Sequence, residues 1–595
     1  MIEPRIYRAA FIPAVLAVVL VMFSLENRPR PVPQGLAADV LFDGDTALRE
    51  LRAIVERHPD RSPGSLSSAA FARDVAARFR ALEPEGFETA VDSWEENGVP
   101  LVNVIASRPG ATREQIVIIA ARDAESVPDA TGSAGDTAAL LELARVIAGR
   151  PSEKTLVLAS VDGSTLGDAG ARRFAETAQD GDRIEAVVAL SNLAAARSDG
   201  PLVLAWSTDD RRGSIGLYRT AAQSVREELG SEPPEEGAIG QFTRLAYPLG
   251  LGAQGPLLAD GIEAIRISGS GELPPPVDDR DLEDVDEDRL GLLGRASLRL
   301  VSALDGAADP PEHGPRSYVA VSRKVLPGWV LALLAGALLL PALAASVDAF
   351  ARAGRRKEHA PGWWRAIALR TIPFLAAFAM AELLVVVDWA PDVGAAPSDP
   401  GLHPFDGEAA ATLGACAATA LLVWLLVRSR LRRYAEAAAT AGAGAVTALA
   451  LAGLTLAVWV LNPFAALLLV PAVHLWMLAM LSGSRLGART AVAVVIAGLL
   501  PPLLAAVVYL ERLSLGPVEG LWYLWLLVTG HAVSPVTTLL ACAFAAVAAS
   551  AIAVMAARVG TPPPLEPEAP RVRGPGGYAG PGSLGGTPSS LTPRP

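Results

Sequence analysis

Asp123, Glu125, Asp129, Asp136 and Asp162 are carboxylates placed after or close to the apolar runs at 116–120 and 155–160. Carboxylate oxygens are the ligands of a hard cation, so such a group could hold one. Acids in loops are more often solvated or cap helices, and that is the reading adopted. Ser164 lacks the G-x-S-x-G setting of an activated nucleophile, and no histidine between His58 and His313 could serve it as a base. His58 itself sits in the turn signal Arg57-His58-Pro59-Asp60. Gly250-x-Gly252-x-x-Gly255 matches the dinucleotide fingerprint, but Pro256 follows and the next expected element is a strand, so it reads as a glycine-rich turn. Cys416 and Cys542 both lie in apolar stretches, which leaves the polar part of the chain without thiols for a disulfide or a zinc site. Glu382 and His474 stand at apolar depth. Ionisable groups there are costly and are candidates to carry a proton or a cation, or to hydrogen-bond each other.

The elements that must position these residues differ along the chain. Residues 35–320 are a globular mixture in which apolar runs recur at 101–106, 116–120, 155–160, 186–190, 202–206 and 262–267. Helical patterns fall at 44–57, 67–82, 136–149, 168–178, 214–230 and 284–305, with Asp136 as the expected N-cap of the third. Strands alternating with helices predict an α/β three-layer sandwich with a largely parallel sheet.

The rest is membrane-like, and the chain as a whole is 51% apolar. A helix needs about 20 apolar residues to cross a bilayer. Residues 9–25 qualify, as do about 326–347, 366–389, 409–428, 438–461, 464–482, 490–510 and 535–557. A signal peptide competes for the first, but no small-x-small cleavage site precedes Glu26, so an uncleaved anchor is expected. Arginine-rich loops at 348–365, 428–436 and 483–490 alternate with loops poor in arginine, such as 390–408. The bias places both termini in the cytoplasm and 35–320 outside it, in the plasma membrane. Leu521, Trp522, Tyr523 and Trp525 resemble an interfacial belt, so 517–534 is expected to lie on the outer face. The expected domains are an anchor and linker over 1–34, an extracytoplasmic domain over 35–320, an all-α polytopic bundle over 321–559 and a disordered Pro/Gly-rich cytoplasmic tail over 560–595. A net charge of −12 argues against nucleic acid as a partner.

The order of segments carries a resemblance. FDGDTALRELRAIVERHPDRSPGS leads through a helix to LVNVIASRPG, then IVIIAARDAES, GSAGDTAALLELARVI, KTLVLASVDGSTLGDAGARRFAE and IEAVVALSN, and DGIEAIRIS precedes a closing helix. Over roughly residues 40–305 this resembles the zinc aminopeptidases of clan MH, peptidase family twenty-eight. The layout of anchor, domain and bundle is similar to that of the GPI-transamidase attachment subunit and the endoplasmic-reticulum metallopeptidases of that family. The resemblance implies a two-zinc site at particular positions. The His and Asp after the strand 116–120 are here Arg122 and Ala124, flanking Asp123. The bridging Asp falls on Gly132, the Glu-Glu pair after Asp162-Gly163 is Ser164-Thr165, a further Asp is Ser191, and the last His falls in Pro274-Pro275-Pro276-Val277. Arginine repels a divalent ion, and neutral hydroxyls do not replace a carboxylate base.

The expectation is therefore a zinc-aminopeptidase-like domain without metal or other cofactor, an inactive homologue serving as a binding or assembly module for a protein or peptide. Its degenerate cleft would be Arg122, Asp123, Gly132, Ser164, Thr165 and Ser191, with Arg122 as the carboxylate clamp. The competing functions are a membrane metallopeptidase or amide hydrolase with an atypical site, and a transporter with an accessory ectodomain.

Overall fold

The computed structural model describes residues 3–33, 41–125, 128–178, 183–198, 200, 202–356, 360–481 and 487–559. The tail expected over 560–595, and Lys357 and Arg485 of the arginine-rich loops, lie outside the described residues. The strands are β1 (Glu26–Asn27), β2 (Glu88–Glu96), β3 (Val99–Arg108), β4 (Glu114–Ala121), β5 (Thr155–Val161), β6 (Arg183–Ser191), β7 (Val203–Leu204), β8 (Ala264–Ser268), β9 (Tyr318–Val321) and β10 (Lys324–Pro327).

Seven strands form one sheet in the order β2-β3-β5-β4-β6-β8-β7. Strands β5, β4, β6 and β8 run parallel, while the β2–β3, β3–β5 and β7–β8 pairs are antiparallel. The sheet is thus mixed, with the parallel order confined to its centre. One cause is local. Asn97 and Gly98 between β2 and β3 have φ of 50° and 80°. Two successive positive φ values make the type I′ turn that closes an antiparallel hairpin.

Side chains alternate across the sheet and feed two cores. Ile116, Ile118, Leu156, Leu158, Val188, Ile265 and Ile267 pack with the helices Gly44–Arg57, Gly135–Ala148 and Glu287–Asp305. Val117, Ile119, Val157, Val187 and Ala264 face the other way, against Phe174 and Leu257 from the helices Ala169–Ala178 and Gln254–Ala259. Burying one such aliphatic side chain stabilises by about 1.5–3 kcal/mol, and here that drive fixes three layers. Asp43, Ser65, Ser214 and Asp286 cap their helices through backbone N–H groups. Asp136 does not act as a cap: a π turn over Ala130–Ala134 extends that helix backwards and leaves Asp136 inside its first turn.

Among the described residues, eight helices are long and apolar enough to cross a membrane: Pro4–Phe23, Gly328–Arg355, Gly362–Val386, Gly407–Tyr434, Ala441–Leu461, Pro463–Leu481, Ala488–Arg512 and Pro535–Ala557. Small residues such as Ala342, Ala345, Ala445 and Ala472 line their shared core and let the backbones approach closely. The first helix packs Ala14 and Ala17 on Ala337. Nearby, the Tyr7 hydroxyl meets His474 Nδ1 at 2.8 Å, and His474 Nε2 lies 2.8 Å from the Leu338 carbonyl. A hydrogen bond between His474 and Glu382, one of the two readings open from the sequence, is therefore absent. Both imidazole nitrogens are engaged by neighbouring helices, and Glu382 instead lies 3.9 Å from His531.

The helix Pro517–Thr529 has 13 residues. At 1.5 Å per residue it extends about 20 Å, short of a bilayer core. It braces the segment 387–406: Trp522 Nε1 donates to the His403 carbonyl at 2.9 Å and the Tyr523 hydroxyl to the Ser398 carbonyl at 2.8 Å. That segment folds back onto the α/β domain, so closely that a Cβ added at Gly167 would stand 3.1 Å from the backbone nitrogen of Ala396.

Candidate functional site

The loops that follow β4, β5, β6 and β8 converge beyond the carboxyl ends of the parallel strands, where an open α/β sheet offers a ligand crevice. They enclose a cavity of roughly 160 Å³. Its walls include Asp123, Asp129, Asp136, Ser164, Ser191 and Arg266, and its roof is Pro397, Ser398, Asp399 and Leu402 from the bundle segment 387–406. A second, larger cavity of roughly 1480 Å³ lies between the domain and the bundle, with Glu236, Glu272, Arg280, Arg512 and Trp522 on its walls.

Arg122 is not on the wall of the smaller cavity. It is 0% exposed and turned into the sheet, where it donates to Asp162 Oδ2 at 2.7 Å, to the Ser160 carbonyl at 3.1 Å and to the Val102 carbonyl. A buried guanidinium is stable only where a carboxylate and carbonyls compensate it, and Asp162 binds it from within. The carboxylate clamp expected of Arg122 is therefore corrected: that charge is spent on the scaffold.

Asp123, Ser164 and Thr165 are brought together. Asp123 Oδ1 accepts from the Ser164 backbone N–H at 3.0 Å. Its Oδ2 accepts from the Ser164 hydroxyl at 3.0 Å and from the Thr165 N–H and hydroxyl at 3.1 Å each. Burial pushes the Asp123 carboxyl above the usual range, with Asp162 adding to the shift. At Gly132 an added Cβ would lie 2.6 Å and 2.7 Å from the two oxygens of Asp129. Asp129 (φ 44°) thus fills the space that a side chain at 132 would take, and accepts from Ser133 N at 2.8 Å and Ser133 Oγ at 2.6 Å. Ser191 Oγ accepts from Asn192 Nδ2 at 3.1 Å.

Sequence reasoning passes over Asp168 and Arg266 on this wall, and reads Asp136 only as a helix cap or a solvated acid. Asp136 accepts from the backbone of Asn192 and Leu193 at 2.8 Å and 2.9 Å, and burial pushes its carboxyl up to about 7. Burial likewise takes Asp168 to about 7, against the pull of Arg266. Arg266 is the charge in the run Ile265-Arg266-Ile267, and strand alternation turns it away from the core that takes both isoleucines. A lone cation in an apolar central strand was the available signal. Arg266 is 6% exposed, and its guanidinium lies against Gly252, where an added Cβ would meet Nη1 at 2.5 Å. Gly252 has φ of 89°. The strand expected directly after the triad is corrected: Gly255 and Pro256 lie in the short helix Gln254–Ala259, and of the three glycines it is Gly252 that makes room for the arginine.

A buried ion network ties this wall to the bundle. Arg244 donates to both oxygens of Glu272, reaching one at 2.8 Å, and to Glu236 at 2.8 Å, and Glu236 also pairs with Arg512 of the bundle. Asn462 donates to the Leu245 carbonyl at 2.8 Å, and Tyr509 donates to that of Tyr247.

Among the described residues no group of three or more His, Cys, Asp or Glu is placed to hold a metal ion. The carboxylates Asp123, Asp129 and Asp136 each accept hydrogen bonds from fixed neighbours.

Residues 103–242 match the model of Peptidase family M28. No curated protein matches the chain. Part of the chain is similar to several solved structures. One is an Acidobacteriales bacterium glutaminyl cyclase, at 18% identity and TM-score 0.34, covering 44% of this chain and 94% of that one. Another is the Legionella pneumophila LapA aminopeptidase, at 12% identity and TM-score 0.39, covering 46% and 75%. A third is a leucine aminopeptidase precursor from Bacteroides thetaiotaomicron, at 16% identity and TM-score 0.33, covering 46% and 99%. The family match falls on the centre of the seven-stranded sheet, so the chain joins an α/β region similar to peptidase family M28 to a bundle of long apolar helices.

Proposed function

We propose that this is a membrane protein whose M28-type domain stands outside the cytoplasm and binds a ligand or partner without hydrolysing it. One observation supports this most directly. Asp123 accepts from Ser164 and Thr165, both through their N–H groups and through their hydroxyls. The family resemblance puts a catalytic base and a metal ligand at those two positions. Neutral hydroxyls committed to a buried carboxylate neither accept a proton from water near neutral pH nor neutralise a dication.

The test uses the full chain purified in nanodiscs. Metal analysis should find zinc far below one per chain. Hydrolysis of aminoacyl-4-nitroanilides should stay at the level of a control membrane preparation, with or without chelator. Stoichiometric zinc together with chelator-sensitive release of nitroaniline sinks the proposal.

A further inference from the structure

We infer that the roofed cavity is a binding site for the carboxylate of an amino-acid-sized ligand, received by the buried guanidinium of Arg266. The inference rests on the reading that this cleft binds and does not hold metal. Its basis is the state of one cation, Arg266, on a wall that also carries the carboxylates of Glu125 and Asp168. Asp123, Asp129 and Asp136 accept from hydroxyls and backbone N–H groups, Glu272 is clamped by Arg244, and Asp399 accepts from Gly401 N at 2.9 Å with Arg280 at 3.4 Å. Arg266 is not matched in this way. Its Nη2 donates to the Glu272 carbonyl at 2.9 Å, and its Nε is buried without an acceptor. Among the described residues no carboxylate stands within ion-pair range of it, although it lines the cavity and is 6% exposed.

A buried cation left in that state favours an anion, and the planar fork of arginine matches a carboxylate with two parallel hydrogen bonds. The volume, roughly 160 Å³, is below that of pockets for drug-sized molecules, which run from about 300 Å³, and so selects a short acid. Asp136 and Asp168 near the guanidinium disfavour a doubly charged phosphate by like-charge repulsion. Burial holds these two carboxyls partly protonated near neutrality, which lets them tolerate a monoanion. The roof residues Ser398 and Leu402 cover the cavity on the bundle side, and Arg266 itself is buried, so an arginine–carboxylate pair there is stronger than one in open water.

The test measures binding to the full chain in nanodiscs by saturation-transfer NMR and calorimetry. The probes are N-acetylglycine, N-acetylglycinamide, inorganic phosphate and tetra-alanine with a free carboxyl end. N-acetylglycine should bind at least tenfold more tightly than its amide, and phosphate should not compete. Tetra-alanine competing for the same site would identify the source as a peptide chain end, and its failure to compete a free small acid. Arg266→Met should abolish binding. Because that change could impair folding, Ser398→Trp provides a second arm: it leaves Arg266 in place, fills the cavity from the roof, and should also abolish binding. Equal binding of acid and amide, no acid binding to the folded wild type, or binding that survives in folded Ser398→Trp would each overturn the inference. Zinc content in the same preparation separates the two readings. Absence of both zinc and acid binding removes only this inference, whereas zinc with peptidase activity removes the proposed function.

Discussion

Burial governs the acids of the cleft, and it has a consequence for stability. Asp136 and Asp168 titrate at about 7 in the folded chain because burial disfavours their charged forms. An unfolded aspartate titrates near pH 4. Between about pH 4 and 7 the folded state therefore holds protons that the unfolded state has released. Stability from these groups is full below the unfolded value and is lost as pH rises through 7. Burial also raises Asp123 and Asp399, which act in the same direction. The melting temperature of the full chain should fall between pH 5 and 8. Asp168→Asn, which copies the protonated form and tolerates φ of 53°, should flatten part of that fall. A variant profile parallel to that of the wild type would show that Asp168 is ionised throughout. At this scale the sequence was only partly legible. The resemblance brought Asp123, Ser164, Thr165 and Ser191 to one crevice, because loops after parallel strands converge. It did not tell which way Arg122 turns at the end of β4, since that depends on Asp162 from β5 waiting inside. Arg266 was hidden for the opposite reason, as one charge within an apolar run.

At the scale of elements, periodicity found the interior and missed the edge. The runs at 116–120, 155–160 and 186–190 became β4, β5 and β6, which are buried on both faces and read as continuous apolar stretches. Strand β2 mixes exposed and half-buried residues, so its apolar signal is weak. The roof segment was legible as a loop between spans but not as part of the cleft, because nothing local to 387–406 encodes its docking on Gly167. The joint between domain and bundle likewise depends on partners far apart in sequence, such as Glu236 and Arg512. The side chain of Glu236 is 7% exposed and that of Arg512 is 21% exposed. Removing one member of a largely buried pair typically costs about 3–5 kcal/mol, and the partial exposure of Arg512 lowers the expectation to roughly 2–3 kcal/mol. Arg512→Ala should therefore loosen the joint while leaving the sheet intact. Hydrogen exchange should speed up in 236–247 and 508–515 and stay unchanged in β4 and β6. Unaltered exchange at the joint would mean that Tyr509 and Asn462 suffice to hold it.

For the molecule as a whole, the geometry sorts the loops into two ends. The helix Gly328–Arg355 starts beside the α/β domain, where Gly328 N donates to the Ser317 carbonyl at 2.6 Å, and its arginines at 352 and 355 are therefore at the far end. The segment 387–406, Asn462 and the helix Pro517–Thr529 all touch the domain or its roof, which puts them at the near end. β1 pairs with β10, so the chain leaves its first apolar helix beside the point where it enters the second. Arginine-rich loops are retained in the cytoplasm, so the far end should be cytoplasmic and the domain end outside. With Cys416 and Cys542 replaced by alanine, a single cysteine at Ala395 should react with a membrane-impermeant maleimide on intact cells, and one at Arg356 should react only after permeabilisation; both positions are exposed. Labelling at 356 but not at 395 would invert the molecule. The cavity under Ser398 would then face the cytoplasm, and an acid drawn from that compartment, instead of from outside, would be the ligand to seek for Arg266.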